Sequence, residues 1–234
     1  TMRNTTDQRG PGTRRAAAHQ AVLATGLASP ASDFQATTEV ENPRTTTEDK
    51  AQAAEPTAAL LPGLEAQIAR VHENVVIISA CVSDDYSIHG TGLDADWDFP
   101  RDITPDVMNG GEGPYTYLQQ LGGLANFVIN DIVPDDATAT AEDVAWVYYY
   151  RAMGRLMMAE NFSHAPVEES GSPIPGDQLL DLAIADFGSA VTAGGTVGTL
   201  ANAGLARAYR WKGNESAATS AANSVLSADA QFYF

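Results

Sequence analysis

Residues 205–226 read LARAYRWKGNESAATSAANSVL, and this stretch decides the fold. Two helical segments flank the Gly213-Asn214 break, with small side chains recurring where two antiparallel helices would cross closely. Tetratricopeptide-type units have this form, with small residues at the crossing and aromatic rings filling the space beside it. Leu205, Ala206 and Tyr209 are expected to face the crossing from the first helix, and Ala218 and Ala222 from the second. Upstream, Ala183, Phe187 and Ala190 have the spacing of a second helix in the same repeat. Its partner is expected one helix earlier, where Trp146, Tyr149, Tyr150 and Met153 form a packing stripe. A bundle of generic amphipathic helices is the competing reading, because alanine-rich helices match the repeat loosely.

The same helical periodicity extends back to Pro56. A first helix is expected over about 60–82, with Leu64, Ile68, Val71, Val75 and Ile78 on one stripe and Pro62 in its first turn. An irregular stretch follows over 83–114, then a second helix over about 115–132 that stops before Pro134. Thr140, with Asp143 at the third position, predicts the cap of a third helix reaching about residue 161. A loop containing Pro166, Pro173 and Pro175 leads to a fourth helix over about 176–192, and a break over 194–198 precedes the final hairpin. No segment reads convincingly as a strand. The body, 56–234, is therefore expected to be all-α: tetratricopeptide-like hairpins, an earlier degenerate pair and one continuous core.

Charge is unevenly spread. The 234 residues carry 13 Lys and Arg against 30 Asp and Glu, a formal net charge of -17. The first 55 residues hold 6 basic and 7 acidic side chains, so nearly all the imbalance sits in the body. Such a body repels phosphate backbones and anionic lipid surfaces, which argues against nucleic acid as a partner. The single cysteine, Cys81, excludes an intramolecular disulfide and a CxxC site. Within its apolar run, 75–82, it reads as a small buried hydrophobe, and that run is far shorter than the ~20 residues of a membrane-spanning helix.

Residues 1–55 form a Thr-, Ala-, Pro- and Gln-rich arm without helical or alternating period. Arg14-Arg15 followed by AAAHQAVLATGLASPA (16–31) has the outline of a secretory signal or its relic, a plain low-complexity tail being the alternative. The arm is expected to run extended over a partner's surface. The apolar Phe232-Tyr233-Phe234 is expected to pack back onto the body or into a partner.

Several motifs, taken in order, resemble the SusD/RagB family of bacterial outer-membrane nutrient-binding proteins. They are Ser32-Asp33-Phe34, Val40-Glu41-Asn42-Pro43, NVVIIS (74–79) leading into Ser83-Asp84-Asp85, the 101–105 segment, Tyr115 opening a helix, the 152–162 helix before a Gly- and Pro-rich loop, and the 203–226 hairpin. The resemblance covers the family's helical-repeat half. No cysteine stands near Pro30 or Ala31, where the family's lipid attaches. What the resemblance implies is an exported bacterial protein that binds glycan or another nutrient beside a TonB-dependent transporter.

Catalytic signals are sparse. The four histidines, His19, His72, His89 and His164, form no HExxH, and there is no GxSxG, P-loop or dinucleotide fingerprint. No catalytic residue is assigned. The densest constellation lies at 84–106. There Asp94, Asp96 and Asp98 alternate like the first three ligands of a calcium loop, but Phe99 replaces the turn glycine and Pro105 the twelfth-position glutamate. A solvated acidic loop is the alternative to Ca²⁺. Trp97 and Phe99, with Tyr86 and Tyr115, are candidates for stacking on a sugar ring or a partner's side chain, or for pinning the loop to the body. Two functions fit these readings. One is a non-enzymatic scaffold subunit docking onto a larger bacterial envelope complex through its arm and acidic surface, at the periplasm or cell envelope. The other is a reduced SusD-like glycan-binding module.

Overall fold

The computed structural model describes residues 55–87, 108, 113–168 and 170–232. Among them lie six α-helices and one two-residue antiparallel bridge. The chain is all-α.

Helix α1, Pro56–Val82, starts with proline at its first position, where the missing N–H costs nothing. Its beginning lies upstream of the expected site, so Pro62 falls inside the helix rather than in its first turn. The early start has a tertiary cause. Asp136 Oδ2 accepts the Thr57 N–H at 2.9 Å from 79 residues away, supplying the cap that no residue ahead of Pro56 provides. The expected stripe is present: Leu64, Ile68, Val71 and Ile78 are buried and Val75 packs against the core. Cys81 is buried beside Ile78.

Helix α2, Pro114–Phe127, ends as an α-helix ahead of Pro134, as expected. It widens into a π-turn, Val128–Ile132, and then tightens into a 3₁₀ turn, Val133–Asp135, that includes Pro134. Proline has no N–H to donate, and its ring crowds the carbonyl four residues back, so the α-helical ladder gives way without the chain leaving the helical path. Helix α3, Ala141–Asn161, has the anticipated capping box: Thr140 accepts from the Asp143 N–H, and Asp143 accepts from the Thr140 N–H.

The prolyl loop closes with β1, His164–Ala165, paired to β2, Ile174–Pro175. Helix α4, Gly176–Val191, follows. The expected break over 194–198 is shorter than anticipated. Gly194 turns the chain at φ 70°, a conformation that side chains with a Cβ resist, and α5, Gly195–Trp211, begins at the next residue. Helix α6, Glu215–Ala228, is capped by the Asn214 side chain, which accepts from the Ala217 N–H.

The helices pack in series: α1 on α2, α2 on α3, α3 on α4, α4 on α5 and α5 on α6. Across these neighbours, α1 also packs on α3, and α3 on α5. One core runs from Leu64 through Leu121, Met153 and Leu156 to Phe187 and Ala208. Beside it Trp146, Tyr149, Tyr150 and Phe187 form an aromatic cluster with ring centroids 5.6–6.1 Å apart. Helix α6 buries only Ala221 and Val225 and turns a Ser-, Thr- and Asn-rich face to solvent, with Leu226 exposed beside it. Phe232 is half-buried over the start of α5, whereas Tyr233, Phe234 and the arm lie outside the described residues.

The remote cap has a pH signature. Hydrogen bonds from the Thr138 hydroxyl, and then from Thr57, hold the Asp136 carboxyl well below the usual carboxylate range. A depressed acid pKa stabilises the fold fully above the unfolded value of 3.8, and that contribution fades as pH falls toward the folded value. Asp136→Ala is therefore expected to melt lower than wild type at pH 6 and to lose less of its melting temperature between pH 4 and pH 2. Parallel acid-melting curves for the two proteins would contradict this.

Candidate functional site

Two arrangements of functional side chains emerge, on different sides of α3.

The first spans the odd-numbered helices. Arg207 of α5 grips Glu160 of α3 through two hydrogen bonds, Nε at 2.7 Å and Nη2 at 2.6 Å. Glu160 keeps only 8% of its side-chain surface exposed, so the pair is held rigidly at the helix interface. His72 of α1 feels both charges. Burial first, and then the Arg207 charge, pull its pKa below the ordinary histidine value, with Glu160 acting in the opposite direction. These three residues thus bring α1, α3 and α5 to one surface. Val76 lies one turn beyond His72, and Trp211 one turn beyond Arg207, so both share that surface. Both are exposed, Val76 by 61% and Trp211 by 57%. Arg210 and Trp211 border a shallow concavity with Arg207. Apolar groups left in water beside a fixed ion pair make a surface suited to binding another protein.

The second lies between α2, α3 and the prolyl loop. Asp186 of α4, nearly buried, is bracketed by two arginines one helical turn apart on α3. Arg151 reaches it in a fork, Nε to Oδ2 at 2.8 Å and Nη2 to Oδ1 at 2.7 Å. Arg155 Nη1 reaches Oδ2 at 2.5 Å. Arg151 also donates to Asn126 Oδ1 at 2.9 Å, and its guanidinium lies 5.3 Å from the centre of the Tyr148 ring. Burial, and then the neighbouring Arg151 charge, lower the Arg155 pKa against the opposing pull of Asp186. The cluster borders an open cavity of about 410 Å³.

The residues singled out in the sequence fall differently. Trp97, Phe99, Asp94, Asp96 and Asp98 lie outside the described residues. Tyr86, just beyond α1, is 65% exposed. Tyr115 is half-buried in the first turn of α2, and its ring meets the Phe162 edge at 5.2 Å, fastening α2 to the end of α3. Among the described residues no ring contact joins it to Tyr86. No group of three His, Cys, Asp or Glu among the described residues is placed to hold a metal ion. None of the described helices is long and apolar enough to cross a membrane.

At the repeat crossing, Ala183, Phe187 and Ala190 are fully buried. Leu205, Ala206, Tyr209, Ala218 and Ala222 are half-buried, a correction to their expected place at the centre. The most deeply buried positions are Val197, Ala201, Gly204 and Ala208 on α5 and Ala221 and Val225 on α6. Alanines occur around most of α5, so they do not set its rotation; Gly204, where the Phe187 ring comes closest, does. Sequence reasoning also missed Arg151, Arg155 and Asp186. The available signal was Asp186 on the apolar stripe of α4, which demands a buried cation, and two arginines spaced i and i+4.

Comparison with protein families, with curated proteins and with solved structures finds no match to this chain.

Proposed function

We propose that this chain is a non-enzymatic docking subunit of a larger bacterial envelope complex, built as a stack of tetratricopeptide-like hairpins. The observation that carries the reading is the α1–α3–α5 contact series with its exposed Val76 and Trp211. In such stacks the first helices of successive hairpins touch one another and present a shared binding surface, with the second helices behind. That α1 touches α3 and α3 touches α5 supports the repeat assignment.

More particularly, the resemblance of the sequence motifs to the SusD/RagB family supports a TonB-dependent outer-membrane transporter as the partner, with a glycan or other nutrient as the cargo.

The test is capture of the tagged full chain from crosslinked, detergent-solubilised cell envelopes. A β-barrel transporter in near-equal amount is the expected companion. Recovery of the chain without one, or from the cytosolic fraction, would contradict the proposal. Trp211→Ala should leave stability within about 0.5 kcal/mol, because the ring is mostly in water. It should weaken docking by about 2 kcal/mol, the loss typical of an aromatic hot spot. Equal capture of wild type and variant would remove Trp211 from the interface.

A further inference from the structure

The Arg151–Arg155–Asp186 cluster joins α3 to α4 and takes no part in the α1–α3–α5 contacts described above. We propose that the cavity it borders binds a small organic monocarboxylate, with Arg155 as the principal contact. The proposal does not rest on the identity of the docking partner.

The donor count comes first. Each guanidinium has five N–H groups. Among the described residues Arg155 donates to Asp186 through Nη1 and to no other group, while both Asp186 oxygens are already engaged. Its side chain is 13% exposed, and it lines the cavity, so the remaining donors reach open space there. A guanidinium so placed offers two parallel N–H bonds to a planar carboxylate.

The surroundings narrow the ligand. Leu118, Met158 and Leu179 supply apolar wall, which suits a carbon skeleton more than a bare inorganic ion. Glu168 stands exposed on the rim, and its charge acts on Arg155. Glu168 is in water, so the two arginines against Asp186 leave one positive charge at the cavity, which a single carboxylate balances and a dianion exceeds. The rim is already fixed, because Gln119 donates to the Pro166 carbonyl at 3.3 Å and Asn126 to the Val167 carbonyl at 3.0 Å.

Calorimetric titration of the purified full chain with acetate, benzoate and glucuronate tests this, with glucose and inorganic phosphate as controls. Saturable binding of at least one carboxylate, tighter than both controls, is expected. Arg155→Gln should weaken it at least about tenfold, the value of one charge-assisted hydrogen bond, while Arg151 keeps Asp186 paired. Gly122→Leu provides the second arm. A Cβ at Gly122 meets nothing within 4 Å, and the residue lines the cavity, so the leucine should block binding without lowering the melting temperature. The proposal is overturned if no carboxylate binds below about 10 mM, if phosphate binds as tightly, or if Gly122→Leu binds like wild type.

Discussion

Asp186→Ala is expected to destabilise the protein by about 3–5 kcal/mol, the range for removing one partner of a buried ionic cluster. The loss arises less from the missing attraction than from what stays behind. Arg151 and Arg155 each keep only 13% of their side-chain surface in water and would face each other without the carboxylate between them. The exposed pairing of Lys212 with Asp181 offers the contrast, since Asp181 is 61% exposed and such a bridge contributes only about 0–1 kcal/mol. Urea denaturation measures the difference, and an unchanged slope would show that stability rather than compactness has moved. Replacing both arginines by methionine in the Asp186→Ala background should restore much of the loss, because an apolar cluster of similar volume needs no partner. A cost for Asp186→Ala below about 1 kcal/mol would mean that the cluster is open to water in solution.

Gly204→Ala is expected to destabilise by about 1–3 kcal/mol, the usual penalty for overpacking a filled core. The direction is informative. Within α5, helix propensity by itself favours alanine over glycine by roughly 0.8–1 kcal/mol, so a neutral position would gain stability. Here the added methyl would overlap the Phe187 ring, which is fully buried and held by Tyr149 at 6.1 Å between centroids. The ring is fully buried, so there is no open solvent for it to withdraw into. A more stable Gly204→Ala would show that the two helices are further apart than described.

These two residues also mark what the sequence reveals and what it does not. Local chemistry places the start of α3: Thr140 and Asp143 can satisfy each other whatever the rest of the chain does. Apolar spacing likewise places the buried face of α1, because Leu64, Ile68, Val71 and Ile78 have no other common use. The start of α1 is different. Its cap is Asp136, 79 residues away, and no local pattern announces it. Pro134 does mark the end of the α-helical ladder, but the π-turn ahead of it has no local signal in the sequence. The rotation of α5 was ambiguous among its alanines, and only the close approach of Phe187 resolves it. The ionic cluster was partly visible, since Asp186 interrupts an apolar stripe. Its meeting with Arg151, 35 residues earlier, is a product of helix pairing. The shared surface of α1, α3 and α5 is further still from any local motif: Arg207 and Glu160 pair only in the stack, where their charges also act on His72 of a third helix.

That shared surface is the centre of the functional account, and site-specific photocrosslinking tests it most directly. A photoreactive residue is placed singly at Val76, at Trp211 and, as a control, at Ser220 on the exposed polar face of α6. Irradiation in living cells is followed by identification of the adducts. The account predicts that positions 76 and 211 both link to the same outer-membrane transporter and that position 220 does not. Adducts to that transporter from position 220 alone, or from none of the three, would contradict it.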